Sequence, residues 1–342
     1  LTIYVGVEAA NSFVKAATAS EELCYLNTLR RVEPFEDITG LTVFNFEGTN
    51  YVAGEITGVS SSARNDDRYA SKGYRAETII AVAQLVEDGA EVILSTGLPA
   101  EDHKNKQNHV KAQRNLQGEH TVYVSGEERT FTVKKVYTPL QPVGSVVNRL
   151  YGFDRKLRNG SEQERKARKL VVDIGFGTTD VSDIEGLRTI RYDGIPVGML
   201  ESNRIIKDEL TKRGARGIQS YLHMDALIRN ADVVTEADEF TGKDVVVRMA
   251  IHTGGKEFEI SELVRDAYEY TASLIMKRVE NLGYVMKDYD MVLFTGGSTL
   301  ALHEYLKPYL EGVNTKAEKG AQIANAKGYA KYAMIQEAKA RA

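Results

Sequence analysis

An α/β protein of two domains is what this 342-residue sequence predicts. Three observations carry the expectation. Strand-like and helix-like segments alternate along the whole chain. The length suffices for two domains, each burying its own core. One hairpin pattern also occurs twice, at the head of each half. "YVGVEAANSFVKA" and "VVDIGFGTTDVS" both run an apolar strand into an acid (Glu8, Asp173), then a tight turn of small residues, then a polar residue seven positions beyond the acid (Lys15, Asp180).

In the first half, "LTIYVGV" and "NSFVKAATA" read as a hairpin, being apolar and β-branched on either side of a small-residue turn. Residues 41–56 alternate about Glu47-Gly48 and predict a second hairpin with a tight turn. Helical spacing of apolar residues predicts a helix over 77–90, stopped at Gly89. "EVILSTGLP" reads as a buried strand ending in a loop, 121–138 as a further hairpin, and "VGSVVNRLYGF" as a helix. Residues 154–169 turn polar and charge-rich around Asn159-Gly160 and mark the candidate domain boundary, a solvated linker in the first instance.

A strand-turn-strand resumes at Leu170. A helix over 197–212 follows, then a mostly helical polar region to 232 and a short hairpin around "VVVRMAIHTGGKEFEI". The amphipathic stretch 260–282 predicts a long helix, "YDMVLFTGGSTLALHEYL" a strand, glycine turn and helix, and the Ala-rich tail a helix with one glycine inside it.

Composition narrows the function. Lys and Arg total 44 against 48 Asp and Glu, a net charge of -4 that argues against a nucleic-acid-coating surface. The single cysteine, Cys24, excludes an intrachain disulfide and suits a reducing compartment. No stretch has the apolar length of a membrane span, and "LTIYVGVE" lacks the features of a signal peptide, so a cytoplasmic protein is expected. Six scattered histidines form no zinc-site spacing.

A nucleotide held between two domains needs backbone N–H groups close to its phosphates, and glycine turns supply them. Gly175 and Gly177 fit that need, with the hydroxyls of Thr178 and Thr179 as further donors. An acid on each hairpin, Glu8 and Asp173, is placed to hold waters of a Mg²⁺ ion, and Lys15 to neutralise a phosphate. In "FTGGST", Gly296 and Gly297 would let the backbone lie against a nucleotide beside a helix N-terminus. Each has a plain structural alternative: Asp173 as a turn cap, Lys15 as a surface lysine, the glycines as packing devices.

Hairpin, hairpin and glycine turn in this order resemble the phosphate and adenosine motifs of the superfamily of actin, heat-shock chaperones and sugar kinases. Within it, "FEGTNYVAGE", "LSTGLPAED", "LQPVGSV" and "NAKGYAKY" are similar to segments of the bacterial ParM-type plasmid-segregation ATPases. The resemblance spans nearly the whole chain. It implies two actin-like, ribonuclease-H-like domains flanking a nucleotide cleft. Domain I would comprise 1–153 plus 322–342, with a small subdomain inserted at about 28–75. Domain II would comprise 154–321, with an insert at about 212–260.

The resemblance further implies ATP (GTP as alternative) with Mg²⁺, and hydrolysis coupled to head-to-tail filament growth. A ParR-type adaptor bound to DNA would be the partner, with neither nucleic acid nor membrane touched directly. Gln141 would orient the attacking water. Asn11, Ser12 and Ser298 would join the phosphate and adenosine contacts, and Lys207 with Asp208 would border the nucleoside. One departure stands out: the first hairpin has Glu8, Ala10 and Ser12 where the family pattern has Asp-x-Gly, which puts metal geometry and hydrolysis rate at issue. A small-molecule phosphotransferase on the same fold is the alternative, although no motif marks the carboxylate base it requires.

Overall fold

The computed structural model describes residues 2–33, 35–55, 67–237, 244–318 and 320–341. The first half forms one sheet from β1 (Thr2–Ala9), β2 (Phe13–Ala17), β3 (Glu22–Leu26), β4 (Arg30–Arg31), β5 (Val43–Phe46), β6 (Thr49–Val52), β7 (Ala90–Thr96), β8 (Gly118–Val124) and β9 (Glu127–Tyr137). Their order is β3-β2-β1-β7-β9-β8-β5-β6-β4. Helices α1 (Lys72–Ala83), α2 (Ala100–Lys104), α3 (Lys106–Leu116) and α4 (Gln141–Leu150) accompany it.

After α5 (Glu162–Lys166), the second half builds a sheet of β10 (Arg168–Ile174), β11 (Thr179–Glu185) and β12 (Arg188–Ile195). Next come α6 (Met199–Lys212), α7 (Tyr221–Arg229) and a separate sheet of β13 (Asp232–Ala237), β14 (Asp244–Thr253) and β15 (Lys256–Glu259). The chain continues through α8 (Ser261–Asn281), β16 (Met291–Thr295), α9 (Thr299–Leu306), β17 (Thr315–Ala317) and α10 (Ala321–Arg341).

The repeated hairpin seen in the sequence is repeated in register. Glu8 stands opposite Lys15 in β1–β2, and Asp173 opposite Asp180 in β10–β11. β1 then pairs parallel to β7, and β10 parallel to β16. The sheets thus share the order hairpin strand, acid strand, parallel strand, in the runs β2-β1-β7 and β11-β10-β16.

Alternation along a strand decides where the acids point. Val5 and Val7 of β1 belong to the first half's core, and Leu170, Val172 and Ile174 of β10 to the second's. Gly6 and Glu8, and Val171 and Asp173, therefore face the other way. Between the sheets lies a third core, of Ala100, Leu140, Val143, Val146, Val147 and Leu150 from the first half with Val171, Ile184, Met291 and Leu293 from the second. Tyr332 and Ile335 of α10 pack against it.

Helices α4 and α10 cross at this seam through Gly144 and Gly328, and α10 also lies against Gly6 of β1. A Cβ on Gly328 would fall 1.7 Å from the Gly144 carbonyl oxygen, and one on Gly6 would fall 1.9 Å from that of Ala326. Neither distance is tolerable for a real side chain, so glycine is required at both.

Several elements differ from expectation. The helix expected over 77–90 starts earlier and ends earlier, because Ser71 caps it by accepting from the Tyr74 N–H at 3.1 Å. Its last residues instead form a turn closed by Gly89 at φ +75° ahead of β7. Strand β13 was not anticipated and adds a third strand to the hairpin of β14 and β15. The polar linker contains the short helix α5. The hairpin about Glu47-Gly48 forms, both residues taking positive φ, while Ile56 lies outside the described residues. So do 57–66 and 238–243, which fall within the two inserts expected from the resemblance. Among the described residues no helix is long and apolar enough to cross a membrane.

The two halves also touch directly through α2. Ala100 N–H donates to Asp180 Oδ1 at 2.9 Å, Lys104 approaches Asp193 at 3.8 Å, and the His103 ring packs edge-on to Tyr192. Burial, with the neighbouring His109, holds the His103 imidazole down to about 4. In the unfolded chain it would protonate near its ordinary value of about 6.5. The unfolded state therefore binds more protons between those values, and stability is lost as pH falls through that window. His103→Gln is expected to flatten this part of the pH–stability curve, measured by urea unfolding of variant and parent at matched pH. Gly328→Ala is expected to lower unfolding stability by about 3 kcal/mol or more, the severe end of overpacking, read in the same urea assay.

Candidate functional site

The two acids meet at the seam under one amide. Asn325, on α10, donates from Nδ2 to Asp173 Oδ2 at 2.7 Å and to Glu8 Oε1 at 3.3 Å. Its orientation is dictated from behind. Oδ1 accepts from the Ser145 N–H at 3.0 Å and from the Ser145 hydroxyl at 2.7 Å. An amide whose oxygen is so engaged must turn its NH₂ toward the carboxylates.

Glu8 has two further donors. Lys15 Nζ lies 2.9 Å from Oε2, and Gln141 Nε2 lies 2.6 Å from Oε1. Gln141 is the first residue of α4, its N–H bonded to the Leu98 carbonyl at 2.9 Å and its own carbonyl to the Tyr329 hydroxyl at 3.1 Å. Burial tends to lower the Lys15 pKa, but the Glu8 carboxylate more than offsets this and holds the amine protonated. Asp173 is pushed well above the usual carboxylate range, first by burial and then by the charge on Glu8.

Above these groups opens a cavity continuous with solvent. Of the residues singled out in the sequence, it is lined by Glu8, Asn11, Ser12, Lys15, Gln141, Asp173, Gly175, Gly177, Thr178, Gly296, Gly297 and Ser298.

The hairpin turns forming its two sides close with the same hydrogen bond. Ala10 N–H donates to the Phe13 carbonyl at 3.0 Å, and Gly175 N–H to the Thr178 carbonyl at 2.9 Å. Ala10 thus occupies the place of Gly175, and Ser12 that of Gly177. Ala10 is not among the residues of positive φ, so this turn accepts a Cβ without backbone strain. Gly296 differs: at φ +89°, a Cβ there would stand 2.4 Å from Asp173 Oδ1. It lets the "TGGS" turn close onto the acid, where Ser298 donates to the Gly175 carbonyl at 3.0 Å.

Three of the singled-out residues lie outside the cavity. Thr179 begins β11, points opposite to Thr178, and gives its hydroxyl to the Val197 carbonyl at 2.9 Å. Lys207 stands 5.1 Å from the Tyr221 ring centre, and Asp208 pairs with Arg204 at 3.4 Å on the outer face of α6. In the part of the second half formed by α6 and α7, the side chain that does line the cavity is Arg229 of α7. It is held by Asp225 at 2.7 Å and lies over the Phe13 ring of the first hairpin at 5.3 Å.

Sequence reasoning also passed over Asn325, Ser145 and Arg68. "NAKGYAKY" does begin at Asn325, so the signal was a lone asparagine in an Ala-rich helix. Among the described residues no three His, Cys, Asp or Glu side chains form a metal-ligand cluster.

Residues 11–144 match the family model described as the N-terminal domain of actin-like proteins. Three solved structures are similar throughout. The apo psk41 ParM protein is 16% identical, with 100% of this chain and 99% of that one covered at a TM-score of 0.71. The actin-like protein Alp7A is 15% identical, with 100% and 98% covered and a TM-score of 0.72. Bacillus thuringiensis ParM with ATP is 13% identical, with 98% and 99% covered and a TM-score of 0.71. No curated protein matches the chain by sequence.

The architecture is therefore an actin-like α/β fold. The solved structures that share it include ParM-type proteins, Alp7A and the archaeal actin homolog Ta0583.

Asn325→Ala would leave the Asp173 carboxylate without its amide donor in a buried setting. An unmet buried group costs about 1–3 kcal/mol, and the variant is expected to lose stability on that scale by urea unfolding.

Proposed function

We propose that this chain is a nucleotide-hydrolysing, filament-forming actin-like protein, with ATP as the substrate and GTP as the alternative. The observation that carries this reading is convergence. Two matched hairpins and a glycine turn, far apart in sequence, line one cavity beside paired buried acids and Gln141. The ParM structure solved with ATP, of the same fold, supports the choice of nucleotide. Domain I would be 1–153 plus 322–342 and domain II 154–321, with inserts near 28–75 and 212–260.

In this reading Gly175, Gly177, Thr178, Asn11 and Ser12 supply donors to the phosphates from both sides. Lys15 supplies positive charge, and the "TGGS" turn receives the nucleoside end, with Arg229 nearer to it than Lys207 and Asp208. The two crowded carboxylates suit a divalent cation better than they suit each other. A Mg²⁺ ion held through water by Glu8 and Asp173 would supply countercharge to the terminal phosphates. Gln141, held here by Glu8, would exchange that bond for the attacking water and orient it in line.

Nucleotide between the domains would tighten the contact of α2 with β11 and β12 and favour the form that adds to a polymer end. Head-to-tail addition that does not close on itself gives an open filament. A DNA-bound adaptor of the ParR type would couple such a filament to plasmid segregation, which the net charge of -4 suits better than direct DNA binding.

High-speed pelleting with ATP, ADP and no nucleotide, combined with phosphate release from the same tubes, tests this reading. Pelleting that requires ATP, with release rising as polymer forms, is the expected result. Phosphate transfer only to an added small-molecule acceptor, without polymer, would replace it with a phosphotransferase. Gln141→Ala is expected to slow phosphate release about a hundredfold while retaining nucleotide binding.

A further inference from the structure

Arg68 is a nearly buried cation in the wall of the cavity, and nothing in the sequence motifs accounts for it. It lies at the head of α1, in a one-turn helix that is firmly mounted. Asn115 Nδ2 donates to the carbonyls of Tyr69 and Ser71 at 3.1 and 3.0 Å, and the Tyr69 hydroxyl donates to Asp102 at 2.7 Å. From this mount the guanidinium reaches into the first hairpin turn. Nη2 donates to the Ala9 carbonyl at 2.5 Å and Nη1 to Asn11 Oδ1 at 3.0 Å. Its nearest carboxylate, Glu77, is 4.0 Å away.

That fork determines which way Asn11 faces. With Oδ1 taken by Arg68, the NH₂ group must turn away from it. It turns across the cleft: a Cβ placed on Gly177 would lie 3.7 Å from Asn11 Nδ2. The first turn carries Ala10 and Ser12 where the second carries Gly175 and Gly177. A methyl at Ala10 limits how closely its backbone can approach a phosphate. A side-chain amide aimed into the gap reaches further than a backbone N–H does.

We propose that Arg68 is a positioning residue of the phosphate site, holding Asn11 so that its amide N–H groups face the terminal phosphate of a nucleoside triphosphate. The assignment rests on the nucleotide reading given above. It makes the first hairpin a side-chain phosphate holder and the second a backbone one. Arg68 also contributes charge close to where the triphosphate is most negative, and a fork of this geometry is not reproduced by lysine.

Fluorescence titration of the full chain with mant-ATP and mant-ADP, each with Mg²⁺, tests it, with thermal unfolding as a check on folding. Arg68→Ala is expected to weaken mant-ATP about tenfold or more and mant-ADP by less than about threefold, with Arg68→Lys in between. Asn11→Asp keeps an acceptor for Arg68 but removes the donors, and is expected to lose mant-ATP affinity to a similar extent at an unchanged unfolding midpoint. Equal losses for both nucleotides, or parent-like mant-ATP affinity in Asn11→Asp, would overturn the assignment while leaving the nucleotide reading intact. A parent chain that binds neither probe would instead overturn the nucleotide reading itself.

Discussion

Two carboxylates on different sheets, Glu8 and Asp173, are brought within reach of one amide in a place with little water. Such a pair is unstable by itself, since each charge disfavours the other and burial disfavours both. Asn325 makes the arrangement tenable by donating to both, and Lys15 and Gln141 satisfy what remains of Glu8. Everything around the site follows from the need to keep that amide in place. Ser145 fixes its orientation, α4 carries Ser145, and α4 crosses α10 closely enough to do so because Gly144 and Gly328 meet backbone to backbone.

The same crossing explains the unusual character of α10. A helix on the surface of a domain shows one apolar stripe. α10 is small and mixed on nearly every side, with Ala324, Ala326, Gly328, Ala330 and Ala333 buried alongside Asn325, Tyr329 and Lys331. It is pressed by β1 and by α4 at once, so small residues and hydrogen-bonded polar ones replace a conventional apolar face. Lys331 is an instance: its amine is settled by Asn148 Oδ1 at 2.7 Å rather than by solvent.

Much of this was legible in the residues, for identifiable reasons. A strand's period of two makes an acid and the residue seven positions on face each other across a tight hairpin, so the pairs Glu8–Lys15 and Asp173–Asp180 could be read from spacing alone. "TGGS" betrayed its turn because a positive φ at Gly296 leaves few other choices. The failures are equally physical. Asn325 is one polar residue in an Ala-rich helix, and only the far side of the fold reveals what it touches. Lys207 and Asp208 are neighbours on a helix that turns that face outward, while the cavity is reached from α7. Thr179 follows Thr178 directly, and alternation sends them to opposite sides. β13 is short, and its valines are exposed at Val233 and Val234, so no buried face marked it out.

The third core, shared between the halves, bears on how the chain comes off the ribosome. The face of β1 carrying Gly6 and Glu8 is covered by α10, which lies near the opposite end of the described chain. Strand β1 is thus made long before the helix that covers it. The apolar side of α4 must likewise wait for β10, β11 and β16. A first half folded by itself during synthesis would leave both of these surfaces uncovered.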